Sequence, residues 1–186
     1  MRVFLLNGPP GIGKDTLAAN IERLFGYPTL MFKTALYAET ANHFNVSLTT
    51  FIDVATDRAT KEQPFMVLGG MSPRGALIHV SEQLIKPVYG KKFFGLKAVE
   101  AIKALDWHGG AVVFSDSGFV EETECLVEHG YEVHIIQLHN KDFDFKQDSR
   151  EYISVPGATV HKLNVTMGQP MMDVSYFIDI VEKLDQ

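Results

Sequence analysis

The chain has a single cysteine, Cys125, among 186 residues, which excludes an internal disulfide framework. Cys125 falls within a helical pattern and reads as a small packed residue rather than a nucleophile. No apolar run approaches the roughly 20 residues of a membrane span. Positive charge is not in surplus either. Seventeen Lys and Arg stand against 23 Asp and Glu, a formal net charge of −6, which disfavours non-specific binding to a nucleic acid polymer as the main activity. No internal repeat, low-complexity tract or linker is found. The first apolar run begins at Val3, which leaves no room for a signal peptide, so the expected location is cytoplasmic.

What is present is an ordinary globular composition, 46% apolar and 22% charged, at a length that suits one domain burying most of its apolar surface. Charge is segregated along it. Arg74 to Lys103 holds six basic and two acidic residues, whereas Ser115 to Glu132 holds six acidic residues and no Lys or Arg. The first segment could meet a phosphorylated substrate; the bland alternative is solvated helix faces.

Strand and helix patterns alternate. Val3–Leu6, Thr29–Phe32, Ala111–Phe114, Val133–Leu138 and Thr159–Leu163 read as strands, the third a continuous apolar run suited to a parallel strand buried on both faces. Helical spacing predicts helices from Leu17, over Lys33–Phe44, Thr49–Ala59, Phe93–Leu105, Val120–His129 and Val174–Leu184. A further helix is predicted from Pro73 to about Lys86, with Ser72 as N-cap, Pro73 at its first position and Pro87 beyond its end. Alternation of this kind predicts an α/β fold with a mainly parallel sheet and helices on both faces. His139–Arg150 is polar and aperiodic, and reads as a loop or flap.

The stretch Gly8-Pro-Pro-Gly11-Ile12-Gly13-Lys14-Asp15-Thr16 joins the first strand to the first helix. Its spacing fits GxxxxGK, a phosphate-binding loop: glycines let the backbone turn its N–H groups toward phosphate oxygens, and the helix N-terminus adds partial positive charge. Gly11, Ile12, Gly13, Lys14, Asp15 and Thr16 are therefore candidate ATP-binding residues. Ser or Thr, a Mg²⁺ ligand, normally follows the lysine. Here Asp15 does, so Asp15 holds the metal directly or through water, Thr16 takes part instead, or Asp15 only caps the helix. Asp116, just past the third strand, is a candidate second acidic group for Mg²⁺ or for orienting the nucleophile, the alternative being a helix cap. Arg74, in the first turn of its helix, suits a bidentate grip on phosphate, and Glu82, two turns on, could orient it or accept from a base amino group. Arg150, in the polar loop, suits charge stabilisation over a triphosphate.

Several of these segments together resemble the bacteriophage deoxynucleoside monophosphate kinases. The resemblance is carried by Gly13-Lys14-Asp15-Thr16, Ser72-Pro-Arg74 through Glu82, Ile85-Lys-Pro87, Tyr89 through Gly95, Ser117-Gly-Phe119 and Asp148-Ser-Arg150-Glu-Tyr152, and spans nearly the whole chain. It implies a three-layer P-loop NTPase or nucleoside-monophosphate-kinase fold: a single domain over 1–186, a parallel five-stranded core, a helical substrate-binding insertion over about 33–105 and a lid over 139–152. It implies transfer of a phosphoryl group from ATP to a deoxynucleoside monophosphate, with Mg²⁺, in the host cytoplasm if phage-encoded. Lys14, Arg74, Arg150 and Asp116 would be the catalytic set. Lys33, Arg74 and Glu82 would bind the acceptor, and Asp15, Thr16 and Asp116 the metal. Neither a membrane nor a nucleic acid polymer is implied as a partner; a homodimer is compatible with it. The chain departs from the family at Leu138-His139-Asn140, where lids often carry another arginine; Lys141 and Lys146 are the nearby cations. The alternatives are a P-loop kinase for another phosphorylated small molecule, of a phosphomevalonate or dephospho-coenzyme A type, and a nucleotide-binding module without turnover.

Overall fold

In the computed structural model, which describes residues 1–146 and 150–186, strands and helices alternate. The strands are β1 (Arg2–Asn7), β2 (Thr29–Leu30), β3 (Ala111–Phe114), β4 (Glu132–His139) and β5 (Thr159–Asn164). The helices are α1 (Lys14–Phe25), α2 (Lys33–His43), α3 (Leu48–Thr56), α4 (Pro73–His79), α5 (Lys86–Tyr89), α6 (Phe93–Ala104), α7 (Val120–Glu128) and α8 (Pro170–Leu184). The strands form one five-stranded sheet, all parallel, in the order β2-β3-β1-β4-β5. The expected α/β class and parallel sheet are present.

The central strands are buried on both faces, and their period-2 alternation sorts them into two cores. Phe4 and Leu6 of β1, with Val113 and Ile136, pack against Leu17, Ala18 and Ile21 of α1 and Val174, Phe177 and Val181 of α8. Val3 and Leu5, with Val112, Phe114 and Ile135, pack against Ala98, Val99 and Ile102 of α6 and Cys125 and Leu126 of α7. Helices thus cover both faces, and Cys125 is a buried packing residue. No helix among the described residues is long and apolar enough to cross a membrane.

The expected insertion divides in two. Tyr37 and Ala41 of α2, Phe51 of α3, Ala76 of α4 and Leu68, from the short 3-10 turn Met66–Leu68, gather in a cluster of their own, whereas α6 belongs to the sheet's core. Ser72 caps α4 as expected, its hydroxyl accepting the Gly75 amide proton at 3.1 Å.

Three boundaries differ from the sequence pattern. β2 stops at Leu30, because the Phe32 and Lys33 amides turn out of the sheet onto Asp116. The helix from Pro73 does not end before Pro87. A wider π turn over Val80–Ile85 links α4 to α5, and Pro87 is the second residue of α5. α8 begins a turn before Val174, with Pro170 in its first turn.

Candidate active site

Ligands of parallel α/β sheets bind beyond the carboxyl ends of the strands, and the predicted residues converge there. The glycine loop leaves β1 and opens α1. Gly11 and Gly13 have φ of 81° and 102°, a region that disfavours any residue with a Cβ. Gly13 is the N-cap of α1 and supplies no side-chain cap, so the first-turn N–H groups have no acceptor within the helix or from its cap. A side chain at Gly13 would meet nothing within 4 Å; the loop is open there. The Lys14 ammonium folds back over it, donating to the carbonyls of Gly8 at 2.6 Å and Pro9 at 2.8 Å. Asp15 and Thr16 are exposed in the first turn of α1. Phe143, from the polar loop after β4, packs near Gly11.

Next to the loop is a cavity of about 580 Å³ whose lining includes Lys33, Arg74, Glu82, Asp116 and Arg150. Loop and cavity are joined through Asn7, the last residue of β1 and fully buried. Its amide group donates to the Ser117 hydroxyl at 3.0 Å and the Glu151 carbonyl at 3.1 Å, while its oxygen accepts the Ile153 amide proton at 2.9 Å. Gln137 of β4 also holds the Ile153 carbonyl, at 3.0 Å. These bonds fix the segment that carries Arg150.

Asp116 caps a helix, but not the one that follows it in the chain. Its two carboxylate oxygens accept the amide protons of Phe32 at 2.8 Å and Lys33 at 3.3 Å, at the start of α2. Burial pushes its pKa up, against the Phe32 amide, the Lys33 charge and amide, and the Arg150 charge. Asp116 therefore ties α2 and Lys33 to the end of β3. Tyr37, one turn into α2, has its hydroxyl pKa raised by burial; Lys33 opposes that, and Asp116 and Asp15 add to it. The Asp15 end of α1 and the start of α2 thus share one electrostatic field.

Arg74 lines the cavity and also approaches Glu62, with Nη1 3.6 Å from Oε1. Glu82 does not orient Arg74. Its Oε1 accepts from Lys86 at 2.6 Å and from Ser81 at 3.0 Å; Lys86 lies four residues on, the spacing of neighbours on a helix. Lys86 in turn sits 4.4 Å from the centre of the Phe119 ring, a cation–π contact. Of the Asp148-Ser-Arg150-Glu-Tyr152 motif, Asp148 and Ser149 lie outside the described residues. Tyr152 donates to the Leu138 carbonyl at 2.7 Å and stacks on His139, ring centres 4.2 Å apart. Where more lid cations were expected, His139 is thus an aromatic support. A smaller cavity, about 240 Å³, shares Gly118, Phe119 and Arg150 with the larger one.

Sequence reasoning passed over two groups. Asn7 looks like any polar residue ending a strand. Glu122 lies in a run of acids on a predicted helix, yet it is only 4% exposed and lines the larger cavity. Its Oε2 accepts the Phe119 amide proton at 2.8 Å. Burial raises its pKa to about 7, against the Phe119 amide and the Lys86 charge, with Asp116 and Glu121 adding to the rise. Gly118, at φ 63°, makes room for it: a Cβ there would fall 2.4 Å from Glu122 Oε2. The only sequence signal for Glu122 was its place three residues after Phe119 at a helix start, where a carboxylate can reach back to an N-cap amide. No protein-family model matches the chain, and no curated protein matches it.

Proposed function

We propose that this chain is a P-loop phosphotransferase of the nucleoside-monophosphate-kinase type, moving the γ-phosphoryl group of ATP onto a deoxynucleoside monophosphate to give ADP and the diphosphate. One juxtaposition supports this reading best. A glycine loop that opens α1 without a side-chain cap stands at the carboxyl edge of a parallel sheet, next to a cavity that gathers Lys33, Arg74 and Arg150. The first suits a polyphosphate donor and the second a monophosphate acceptor.

In this reading Lys14 exchanges the carbonyls of Gly8 and Pro9 for donor phosphate oxygens. The loop amides and the α1 N-terminus hold the remaining phosphate charge. Arg74 and Lys33 grip the acceptor phosphate, and Arg150 offsets charge on the group in transfer. Asp116 acts as a positioning residue, holding α2 and Lys33 in place. No covalent intermediate is needed; the rate comes from alignment and electrostatics.

Mg²⁺ bound with the donor would neutralise charge between its β- and γ-phosphates. Asp15 and Thr16, exposed oxygen donors in the first turn of α1, fit that ion. Asp116 fits it less well, since both its oxygens are engaged by amides. Among the described residues no three His, Cys, Asp or Glu gather as a metal site.

The test is ADP release from Mg·ATP with a panel of monophosphate acceptors, including non-nucleotide ones. Deoxynucleoside monophosphates should be turned over, and Lys14→Ala should lose nearly all turnover while its thermal unfolding is nearly unchanged. Transfer retained in Lys14→Ala, or ADP release with no acceptor at all, would remove the reading. Preference for a non-nucleotide monophosphate would keep the phosphotransfer and replace the substrate.

A further inference from the structure

Glu122 is a buried carboxyl that the mechanism above leaves without a task. Its Oε2 is occupied by the Phe119 amide. Its Oε1 has no hydrogen-bond partner among the described residues. That atom is not sealed in the core, and the residue lines the cavity. A buried carboxyl with one oxygen fixed and the other facing a cavity is costly unless a ligand completes it.

The charges around the cavity divide it. Asp116 feels Lys33 and Arg150, the cations suited to phosphate. Glu122 feels Lys86, Asp116 and Glu121. A phosphate would be repelled from the Glu122 end. An uncharged ring carrying an N–H would not, and the aromatic walls Phe94 and Phe119 suit a flat ring.

We propose that Glu122 is a specificity-determining residue for the acceptor, its Oε1 accepting a hydrogen bond from an N–H on the acceptor's heterocycle. This rests on the phosphotransfer reading above. Gly118 belongs to the same device, since only a residue without a Cβ leaves space for the carboxyl.

The informative variant is Glu122→Gln. A glutamine has one carbonyl oxygen. The Phe119 N–H claims it, and the amino group then faces the cavity, donor against donor. The variant should fold, because the bond to Phe119 is kept. The acceptors are the four common deoxynucleoside monophosphates and 2-deoxyribose 5-phosphate, which has no heterocycle. For the best nucleotide, KM should rise about 10- to 100-fold in Glu122→Gln, the range for losing a hydrogen bond to a charged group. Its kcat should stay nearly constant, and values for the sugar phosphate should not move. A shift common to nucleotides and sugar phosphate, or no shift at all, would overturn the proposal.

A second measurement needs no variant. An N–H donor binds the ionised carboxyl, so the nucleotide-to-sugar-phosphate KM ratio should fall up to about tenfold from about pH 6 to pH 8. Ionisation of the acceptor phosphate cancels in that ratio. A flat ratio counts against Glu122. Should the wild-type protein turn over none of these acceptors, the phosphotransfer reading fails by itself. Equilibrium binding of the same compounds then decides the assignment: a nucleotide preference abolished by Glu122→Gln upholds it, and one that survives overturns it.

Discussion

The Asn7 side-chain oxygen accepts the amide proton of Ile153 at 2.9 Å across 146 residues of chain. The same side chain holds Ser117 and the Glu151 carbonyl, so one buried amide group joins the end of β1, the end of β3 and the segment bearing Arg150. Asn7→Ala leaves those groups short of a partner in a dry site. It should cost about 2–4 kcal/mol in urea unfolding, at roughly 1–3 kcal/mol for each buried group left unsatisfied. Turnover should fall as well, since Arg150 loses its anchor. Wild-type turnover in a destabilised Asn7→Ala would separate Arg150 from this network.

Asp116 holds the start of α2 through the Phe32 and Lys33 amides. Asp116→Asn keeps one acceptor oxygen and Asp116→Ala keeps none. The alanine variant should be less stable by about 1–3 kcal/mol, the cost of a buried donor without an acceptor, with the asparagine variant in between. KM for the acceptor should rise in both, because Lys33 is held by this contact. Equal stability of the three proteins would show that the cap is dispensable.

Stability should depend on pH through Glu122. Its carboxyl has a pKa of about 7 in the folded protein, against an ordinary value of 4.5. Between those values the folded chain retains a proton that the unfolded chain has released. Stability therefore falls as pH rises through that interval and levels off above about 7, a total loss of about 3 kcal/mol. Glutamine does not titrate. Relative to wild type, Glu122→Gln should gain stability between about pH 5 and pH 8. Parallel unfolding free energies at the two pH values would contradict this.

A second titration lies on the other edge of the sheet. His134 of β4 is 2% exposed; its Nδ1 is 3.1 Å from His161 Nε2 and its Nε2 is 3.0 Å from Glu132 Oε1. Burial, followed by the neighbouring His134, lowers the pKa of His161 below 6.5. The unfolded chain then takes up a proton first as pH falls. The stability linked to His161 is complete above about pH 6.5 and is lost as pH drops through the lowered folded value. His161→Gln keeps a polar partner for His134 and removes this titration. Its stability should fall less steeply from about pH 7 to pH 5, as read by denaturant midpoints.

The α/β alternation, the parallel sheet and the glycine loop were legible because each rests on short-range signals. Apolar runs suited to strands buried on both faces, helical periodicity, and a loop whose glycines alone tolerate φ of 81° and 102° are properties of neighbouring residues. The Ser72 cap was readable for the same reason. The partners of those residues were not. That Asp116 caps α2 rather than α7 and that Asn7 carries the Arg150 segment both depend on contacts beyond the local pattern. Glu122 stood as one acid among six in its segment, and only the packing of α7 against α6 and the sheet turned it inward. Sequence alone determined the strands, the helices and the glycine loop, through local sterics and periodicity. The tertiary structure decided which side chains share the cavity and what charge they carry there, because strand order and burial set distance and dielectric between groups far apart in the chain.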